Sequence, residues 1–255
     1  MSATDAVIEA LLKARRTLQA ADATPLAKSL VAPDDAYLVQ TAVANELGWF
    51  EADGVALNWK SGGASRSAGL GHSPLPPTGV WTSPADARPW PFRLRLIEAE
   101  VALRLGRAVD AALAATLDEA SAPALVDAMC VSIEIVDSRW VQSVQAPPLL
   151  RLADLQSHGA LVLGDWVPFD PTRDWSQQRC EVHIGAAVRE FRGTHTLGDP
   201  AYVLTAWLQH ATADGGTLPA GTVVTTGTWC GALEARAGDA VRVRFDGIGE
   251  AAVQL

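Results

Sequence analysis

The sequence has few cysteines and no long apolar run. Its three cysteines, Cys130, Cys180 and Cys230, lie far apart and form no CxxC pair. This spacing argues against a disulfide framework and against a cysteine zinc site, and it is typical of reduced thiols in a cytoplasmic protein. No apolar run approaches the roughly 18 residues that a membrane-spanning helix needs, so we expect no membrane partner. Residues 1–10 lack the apolar core of a signal peptide, which also favours a cytoplasmic location.

Positive charge is scarce as well. The chain has 20 basic and 29 acidic side chains, which gives a formal net charge of −9. This charge excludes nucleic acid as the main partner, because phosphate binding needs a basic face. A small anionic substrate stays compatible with it, since one bound cation can reverse the local field. Only three lysines occur, Lys13, Lys28 and Lys60, so the position of Lys60 in a glycine-rich segment is conspicuous.

Hydrophobic periodicity divides the chain into a helical start and a β-rich remainder. Apolar residues recur at helical spacing in residues 4–20 and again after Pro33. Residues 53–92 are rich in glycine and proline, which favours loops and short strands. Beyond them the apolar period becomes two. We assign residues 1–52 to an N-terminal helical segment and residues 53–255 to a β-rich domain, and expect the two to form one structural unit.

The pattern after residue 92 predicts more strands than helices. We expect helices at 110–129 and 200–213, and strands at 92–105, 130–137, 160–169, 180–191, 222–227, 240–245 and 248–254. Short strands that outnumber helices in this way indicate an α+β fold.

Two glutamates interrupt one of the predicted strands. Glu98 and Glu100 share one face, since successive side chains of a strand point to opposite faces. Their Cα atoms are expected to lie roughly 6.5 Å apart, which lets both carboxylates reach one ion. The other face carries Ile97, Ala99 and Val101 and belongs to the core. Two acids on a partly buried face repel each other, so they require a counter-charge, and a bound cation supplies it.

Glu134 offers a third carboxylate. It interrupts another apolar strand, where Ile133 and Ile135 take the opposite face. Three carboxylates without a histidine or cysteine ligand suit a hard ion, Mg²⁺ or Mn²⁺. The alternative is that these glutamates are solvated or form ion pairs with nearby arginines, of which the sequence offers Arg95, Arg104 and Arg139.

Several motifs occur together in a fixed order. They are Asp35–Gln40, Trp59–Gly62, Ile97–Leu103, Ile133–Arg139, Ala153-Asp154 with Ser157, Gly198–Pro200, Ala206–Leu208, Thr225–Gly227 and Ala237–Gly249. Their combination resembles the 2-keto-4-pentenoate hydratase family, in the hydratase and decarboxylase branch of the fumarylacetoacetase superfamily. The resemblance implies a mixed β-roll or barrel-like core with a small N-terminal helical part, assembled into a homo-oligomer.

The resemblance also implies an activity. Members of the family bind Mg²⁺ or Mn²⁺ through three carboxylates, which here are Glu98, Glu100 and Glu134. They act on small anionic 2-oxo or 2-hydroxydienoic acids. The implied reaction adds water to a 2-hydroxy-2,4-dienoate through a metal-stabilised enolate and gives a 4-hydroxy-2-oxo acid. This makes the protein a lyase of aromatic compound catabolism.

Five further residues take roles from the resemblance. Lys60, Asp154 and Ser157 are the expected catalytic residues, and Thr226 and Gly227, with Lys60, are expected to bind the substrate carboxylate. A buried lysine with a lowered pKa would suit proton relay. By residue type alone, Lys60 could equally be a surface lysine, and Thr226 with Gly227 a simple strand end.

Departures from the family pattern leave the substrate open. Leu155 replaces the expected asparagine, and the segment 61–80 keeps little of the family's sequence. Hydrolysis is disfavoured, because none of the five histidines begins the His-x-x-Glu pair that the related hydrolases use. Decarboxylation of a 2-oxo-3-enedioate of the 4-oxalocrotonate type stays open, as does a non-catalytic homologue that binds 2-oxo acids.

Overall fold

The computed structural model describes residues 2–51 and 54–255. Two helices form its N-terminal part, α1 at Ala3–Thr17 and α2 at Pro33–Glu46. Proline takes the first helical position of α2, where its missing N–H has no intrahelical partner to lose. Both helices match the expected helical start. The predicted boundary between residues 52 and 53 lies outside the described residues.

Short strands make up most of the remaining elements. The strands are β1 Asn58–Gly62, β2 Gly71–Pro74, β3 Val80–Thr82, β4 Ala85–Asp86, β5 Leu96–Leu105, β6 Val109–Asp110, β7 Val126–Val136, β8 His158–Leu163, β9 Val167–Pro168, β10 Arg179–Ile184, β11 Ala187–Arg192, β12 Thr217–Leu218, β13 Val223–Thr228, β14 Leu233–Glu234, β15 Ala240–Phe245 and β16 Gly249–Gln254. The helices among them are α3 Ala111–Ala114, α4 Pro148–Ala153 and α5 Leu204–Ala211. The chain is therefore of the expected α+β class.

A mixed nine-stranded sheet carries the two long strands of the molecule. Its order is β2-β1-β13-β5-β7-β8-β3, with β14 paired to β5 and β9 paired to β7. β5 and β7 are antiparallel neighbours over almost their whole length, and Glu98 lies directly opposite Glu134. β1 pairs with β13 on the other side of β5, which brings Lys60 beside Thr225. The sheet order thus gathers distant segments around the centre of β5.

A second sheet packs against the first and closes the core. Its five strands run β11-β10-β15-β16-β4. Alternate residues of β15, Val241, Val243 and Phe245, are buried, and the residues between them are exposed. They join Ile133 and Ile135 of β7 in the main hydrophobic cluster. One face of β7 therefore belongs to the core, which leaves its other face for Glu134.

The two N-terminal helices bury a separate apolar cluster. Leu11 of α1 and Val39 of α2 pack with Trp140 and with Leu150 of α4. The Gln40 side-chain amide reinforces this packing, since it donates to the carbonyls of His72 and Leu152 and to the Ser73 hydroxyl. Helix α2 is therefore tied to both β2 and α4.

The predicted helix at 110–129 is wrong. Only α3 is helical there, a short 3₁₀ turn follows at Ala122–Leu125, and the last four positions begin β7. Met129 pairs with Leu103 of β5, and both side chains are buried. Alanine and leucine favour helix only weakly, so long-range strand pairing overrides the local preference.

None of the helices within the described residues combines the length and the apolar character that a bilayer-spanning helix requires.

Close packing between the sheets predicts the effect of one substitution. A Cβ on Gly164 would lie 2.4 Å from the carbonyl oxygen of Glu250 in β16 and 3.1 Å from that of Val131. We expect Gly164→Ala to destabilise the protein by about 2 kcal/mol, which lowers Tm by roughly 4–8 °C for a chain of this length. Gly216→Ala is the control, because no atom lies within 4 Å of its Cβ position. Equal melting temperatures for the two variants in thermal unfolding would contradict the contact.

Candidate active site

Three carboxylates from two neighbouring strands converge on one point. Glu98 and Glu100 extend from β5, and Glu134 extends from β7. One oxygen from each lies within 4.8 Å of one oxygen from each of the others. Glu100 and Glu134 are buried, and Glu98 is partly buried. We call these residues the carboxylate triad, and the structure brings it together as the sequence predicts.

The electrostatics of the carboxylate triad are unfavourable without a cation. Burial, followed by repulsion from Glu134, raises the pKa of Glu98 to about 8 and that of Glu100 to about 7. Burial alone would raise the pKa of Glu134 too, but Lys60 and His158 outweigh burial and lower it. The site therefore holds one stable carboxylate and two that need further positive charge to stay ionised.

One oxygen of Glu134 is already bonded and the other is not. Oε1 accepts from Lys60 Nζ at 2.6 Å and from His158 Nδ1 at 3.1 Å. A carboxylate accepts only, so Nδ1 of His158 carries the ring hydrogen. Oε2 is buried and has no hydrogen-bond partner among residues 2–51 and 54–255. Oε2 is therefore the oxygen of Glu134 that is available to bind a cation.

Glu100 is oriented by residues of β13. Its Oε2 accepts from the Thr225 hydroxyl and, at 3.2 Å, from the backbone N–H of Gly227. The Ser132 hydroxyl lies 3.0 Å from that of Thr225 and extends the network to β7. These contacts fix the rotamer of Glu100, so its second oxygen is held in place.

The carboxylate triad fits a hard divalent cation. All three donors are carboxylate oxygens, which Mg²⁺, Mn²⁺ and Ca²⁺ prefer to softer ligands. A buried, unpartnered oxygen on Glu134 and the raised pKa values of Glu98 and Glu100 both indicate missing positive charge. A cation bound by these residues would remove both penalties, because it accepts lone pairs and favours the ionised carboxylates.

A cavity of about 710 Å³ opens above Glu98 and Glu100. Its polar and charged lining consists of Lys60, Ser61, Glu98, Glu100, Arg151, Gln156, Thr196, Thr225 and Thr228. Small or apolar residues of the 62–71 segment and of α4 form most of the remaining wall. This volume lies in the range of small-molecule binding sites, roughly 300–1,000 Å³. We call this space the site cavity.

Lys60 lies at the wall of the site cavity and is held as an ammonium. Its Nζ donates to Glu134 and, at 3.3 Å, to the carbonyl of Gln156. Burial lowers the pKa of Lys60, but attraction by Glu134, Glu98 and Glu100 outweighs it, so the pKa is raised. Lys60 therefore does not have the lowered pKa that would suit proton relay, because three carboxylates surround the ammonium.

The Gln156 carbonyl, which accepts a hydrogen bond from Lys60, belongs to a short run of left-handed backbone. Leu155, Gln156 and Ser157 have φ angles of 50°, 54° and 62°. Left-handed conformations cost non-glycine residues roughly 1–2 kcal/mol each, so surrounding contacts must hold them. The N–H of Asp137 supplies one such contact, since it donates to the carbonyl of Ser157 at 2.9 Å.

Asp154 anchors the start of this stretch and lies away from the site cavity. It is fully buried and accepts from Arg15 at 3.1 Å and from both the backbone and the guanidinium of Arg139. Burial, followed by repulsion from Arg139, lowers the pKa of Arg15 to about 9, which leaves it a cation at neutral pH. The structure therefore places Asp154 between two arginines, behind the left-handed residues and not among the cavity-lining ones.

Of the other predicted site residues, Gly227 lines the site cavity, whereas Thr226 and Ser157 do not. Gly227 lines the site cavity, but its N–H is used by Glu100. The Thr226 hydroxyl donates to the carbonyl of Val101 at 2.8 Å and does not line the site cavity, because adjacent residues of β13 face opposite ways. Ser157 is 2% exposed and is not a lining residue. The catalytic and substrate-binding roles of these residues stay predictions.

Several residues of the site were missed from the sequence, and four of them matter most for its contacts. They are Thr225, Gln156, Arg151 and His158. Strand parity contains the signal for Thr225, because it pairs with Ala102, which shares a face with Glu98 and Glu100. His158 and Gln156 carry no such signal, since their contacts depend on the tertiary path of residues 154–158.

A metal titration tests the carboxylate triad. We expect Glu98→Gln to weaken Mn²⁺ binding at least about 100-fold in calorimetry, since removing a direct ligand costs more than removing an outer partner. Its apo form should melt no lower than wild type at pH 7, because a carboxyl with a pKa of about 8 is already mostly neutral and the amide keeps that charge state. Glu119→Gln, at an exposed position, is the matched control. Wild-type affinity in Glu98→Gln would rule the site out.

His195 supports β13, the strand whose Thr225 and Gly227 orient Glu100. Its Nε2 donates to the carbonyl of Thr226 at 3.0 Å, and its ring lies 4.4 Å from that of Trp229. Nδ1 is buried and has no partner within the described part of the chain. Burial lowers the pKa of His195 to about 4. The folded protein therefore requires this imidazole to be neutral.

This requirement gives stability a defined pH dependence. The unfolded His195 titrates near 6.5 and the folded one near 4, so its contribution is complete above about pH 6.5 and is lost towards pH 4. At pH 5 the loss amounts to about 2 kcal/mol. Urea unfolding with EDTA at pH 7.5 and pH 5 should show a smaller difference for His195→Gln than for wild type. The same pH dependence in His195→Gln and in wild type would contradict this assignment.

Comparisons with solved structures find the same fold in other proteins. A solved structure of 4-oxalocrotonate decarboxylase from Pseudomonas putida G7, complexed with magnesium and adipate, is 18% identical with a TM-score of 0.81, over 98% of this chain and 96% of that one. 2-Hydroxyhepta-2,4-diene-1,7-dioate isomerase from Mycobacterium marinum is 15% identical with a TM-score of 0.52, over 78% and 74%. Maleylpyruvate hydrolase from Sphingobium sp. SYK-6 is 17% identical with a TM-score of 0.51, over 77% and 69%.

At these identities the likeness shows a shared fold. No curated protein matches the chain. Residues 79–255, more than half of the chain, match the family model described as fumarylacetoacetate (FAA) hydrolase C-terminal. This match confirms the superfamily part of the resemblance, and the narrower hydratase assignment stays a prediction. The chain belongs to the fumarylacetoacetate (FAA) hydrolase C-terminal family.

Proposed function

We propose that the protein is a divalent-cation-dependent lyase that adds water to a 2-hydroxy-2,4-dienoate and gives a 4-hydroxy-2-oxo acid. The observation that carries the proposal is the carboxylate triad, with the Lys60 ammonium beside it, at the edge of the site cavity. With a divalent cation bound, this arrangement would offer positive charge to the carboxylate and C2 oxygen of a 2-oxo acid. It also leaves the wall formed by α4 and the 62–71 segment for the carbon chain.

Glu98, Glu100 and Glu134 would hold Mg²⁺ or Mn²⁺. The chemistry that such an ion supplies is Lewis acidity towards a carbonyl or enol oxygen. The chain's own contribution is orientation, because Thr225 and Gly227 fix Glu100 while Lys60 and His158 fix Glu134. Preorganised charge in a sheltered cavity stabilises negative charge that develops on the C2 oxygen.

Lys60, Glu134 and His158 form a buried chain that can hold and move a proton. The Lys60 ammonium donates to Glu134 Oε1, and His158 Nδ1 donates to the same oxygen. Burial lowers the pKa of His158, so its Nε2 is free of hydrogen at neutral pH and can accept a proton. Hydration needs proton transfer at carbon before water adds. Lys60 is the member of this chain that lines the site cavity, so it would be the one to meet the substrate.

Asp154 acts as a positioning residue in this proposal. It holds the left-handed run that presents the Gln156 carbonyl to Lys60. The assigned role thus changes from the catalytic one expected from the sequence, because its carboxylate is used by Arg15 and Arg139. Ser157 and Thr226 contribute through the same kind of support, from behind the cavity wall.

Decarboxylation of a 2-oxo-3-enedioate is the second candidate. The likeness to the decarboxylase extends over 98% of the chain and so includes the N-terminal helices, whereas the isomerase match covers 78%. Decarboxylation also needs no proton-transfer group before the bond breaks, because the electrons of the broken C–C bond pass through the conjugated double bond to the C2 oxygen. Both reactions need the same stabilised charge.

Direct assays separate the two candidates. Purified protein with Mg²⁺ or Mn²⁺ should consume 2-hydroxypenta-2,4-dienoate, followed by loss of its absorbance, and yield a 4-hydroxy-2-oxo acid. Release of CO₂ from 2-oxohex-3-enedioate without consumption of the dienoate would assign the decarboxylase instead. Binding of oxalate with no turnover of either compound would leave a non-catalytic binder.

Lys60→Met tests the role of the ammonium. We expect kcat to fall by roughly 10²–10⁴, as for removal of a general acid, while Mn²⁺ still binds because the carboxylate triad is intact. Lys13→Met, an exposed lysine on α1, is the matched control and should retain wild-type kcat. A Lys60→Met enzyme that turns over at the wild-type rate would contradict the proton-transfer role.

A further inference from the structure

Arg151 is a cation without a partner in the site cavity. It belongs to the last turn of α4 and lines the same cavity as Glu98 and Glu100. Its Nε is buried and has no hydrogen-bond acceptor in the described part of the chain. Among residues 2–51 and 54–255, no carboxylate lies within 4.0 Å of its guanidinium. A buried N–H donor on a charged group costs free energy when it makes no hydrogen bond, so the Nε of Arg151 needs an acceptor.

Arg151 differs in this respect from the other charged residues of the cavity. Lys60 is bonded to Glu134, and Glu98 and Glu100 belong to the carboxylate triad. These three charges therefore serve the cation end of the cavity. Arg151 lies on α4, among Leu149, Leu152 and other apolar lining residues, and the triad does not engage it.

The chemistry of the guanidinium determines which acceptor fits. A guanidinium binds a carboxylate through two parallel hydrogen bonds. A carboxylate would therefore satisfy Arg151, whereas an aliphatic end group would leave its buried Nε unpaired. Gln156 lines the same cavity, but its buried Oε1, unpartnered within the described residues, is an acceptor and needs a donor, so it does not add to this carboxylate site.

We propose that Arg151 binds a second carboxylate of the substrate. The inference rests on the proposed function, in which the first carboxylate and the C2 oxygen occupy the carboxylate-triad end. The substrate class is then a dianion, a 2-oxo or 2-hydroxydienoic acid with a distal carboxylate. The volume of about 710 Å³ leaves room for such a chain. Arg151 would select it over monoacids of the same length.

Two unreactive acids of equal length provide the test. 2-Oxoadipate and 2-oxohexanoate share six carbons and the 2-oxo acid group, and differ only in the distal carboxylate. With Mg²⁺ present, calorimetry should show wild-type protein binding 2-oxoadipate roughly 10- to 100-fold more tightly, the range of a charged hydrogen-bonded pair. Arg151→Met should abolish this preference and leave the affinities for 2-oxohexanoate and oxalate within about threefold of wild type. Arg151→Lys should restore part of the preference, since a point charge replaces the planar fork.

Each outcome separates this inference from the proposed function. Arg107→Met, at an exposed position, controls for loss of net charge and should keep the wild-type preference. Wild-type Mn²⁺ affinity and melting temperature in Arg151→Met would show that the variant is folded and that its carboxylate triad is intact. Equal wild-type affinity for the two acids, or an unchanged preference in Arg151→Met, overturns the assignment of Arg151 alone. Failure of the wild type to bind either acid or oxalate overturns the proposed function and this inference with it.

Discussion

The site depends on mutual repulsion among three carboxylates that the fold forces together. β5 and β7 cannot pair in their observed register without placing Glu98 opposite Glu134. Their other faces fill the core, so neither strand can turn its acids outward. Burial makes the repulsion expensive, and Lys60 compensates only one charge. The repulsion is relieved either by protonation of Glu98 and Glu100, whose pKa values are raised, or by a bound cation, and the other contacts of the site orient the acids.

Strand parity made the centre of the site predictable from the sequence. Alternation alone assigned Glu98, Glu100 and Glu134 to faces opposite the core, and the structure brings them together. The same rule would have preferred Thr225 to Thr226, because only one of two adjacent strand residues can face Glu100. Thr226 was predicted because the resemblance assigned the motif Thr225–Gly227 as a whole, without regard to the face on which each side chain lies.

Contacts between distant segments could not be read from local pattern. Residues 126–129 have a helix-favouring neighbourhood, yet they extend β7 because β5 offers them a buried partner strand. The partners of Asp154 show the same limit, since Arg15 lies 139 positions away and belongs to α1. Local propensity contributes tenths of a kcal/mol per residue, whereas a buried partner contributes several times more. The fold class survives such errors, but individual site residues do not.

The path of residues 154–158 links the helical start of the chain to the chemistry of the sheet. Arg15 and Arg139 hold Asp154, which directly precedes the left-handed residues 155–157, and His158 directly follows them. That run delivers the Gln156 carbonyl to Lys60 and the His158 ring to Glu134. Strained backbone persists only where its surroundings over-determine it. Helix α1 therefore contributes to the geometry of the carboxylate triad although none of its residues lines the site cavity. A buried ion pair from the N-terminal segment thus helps to fix the backbone that contacts Lys60.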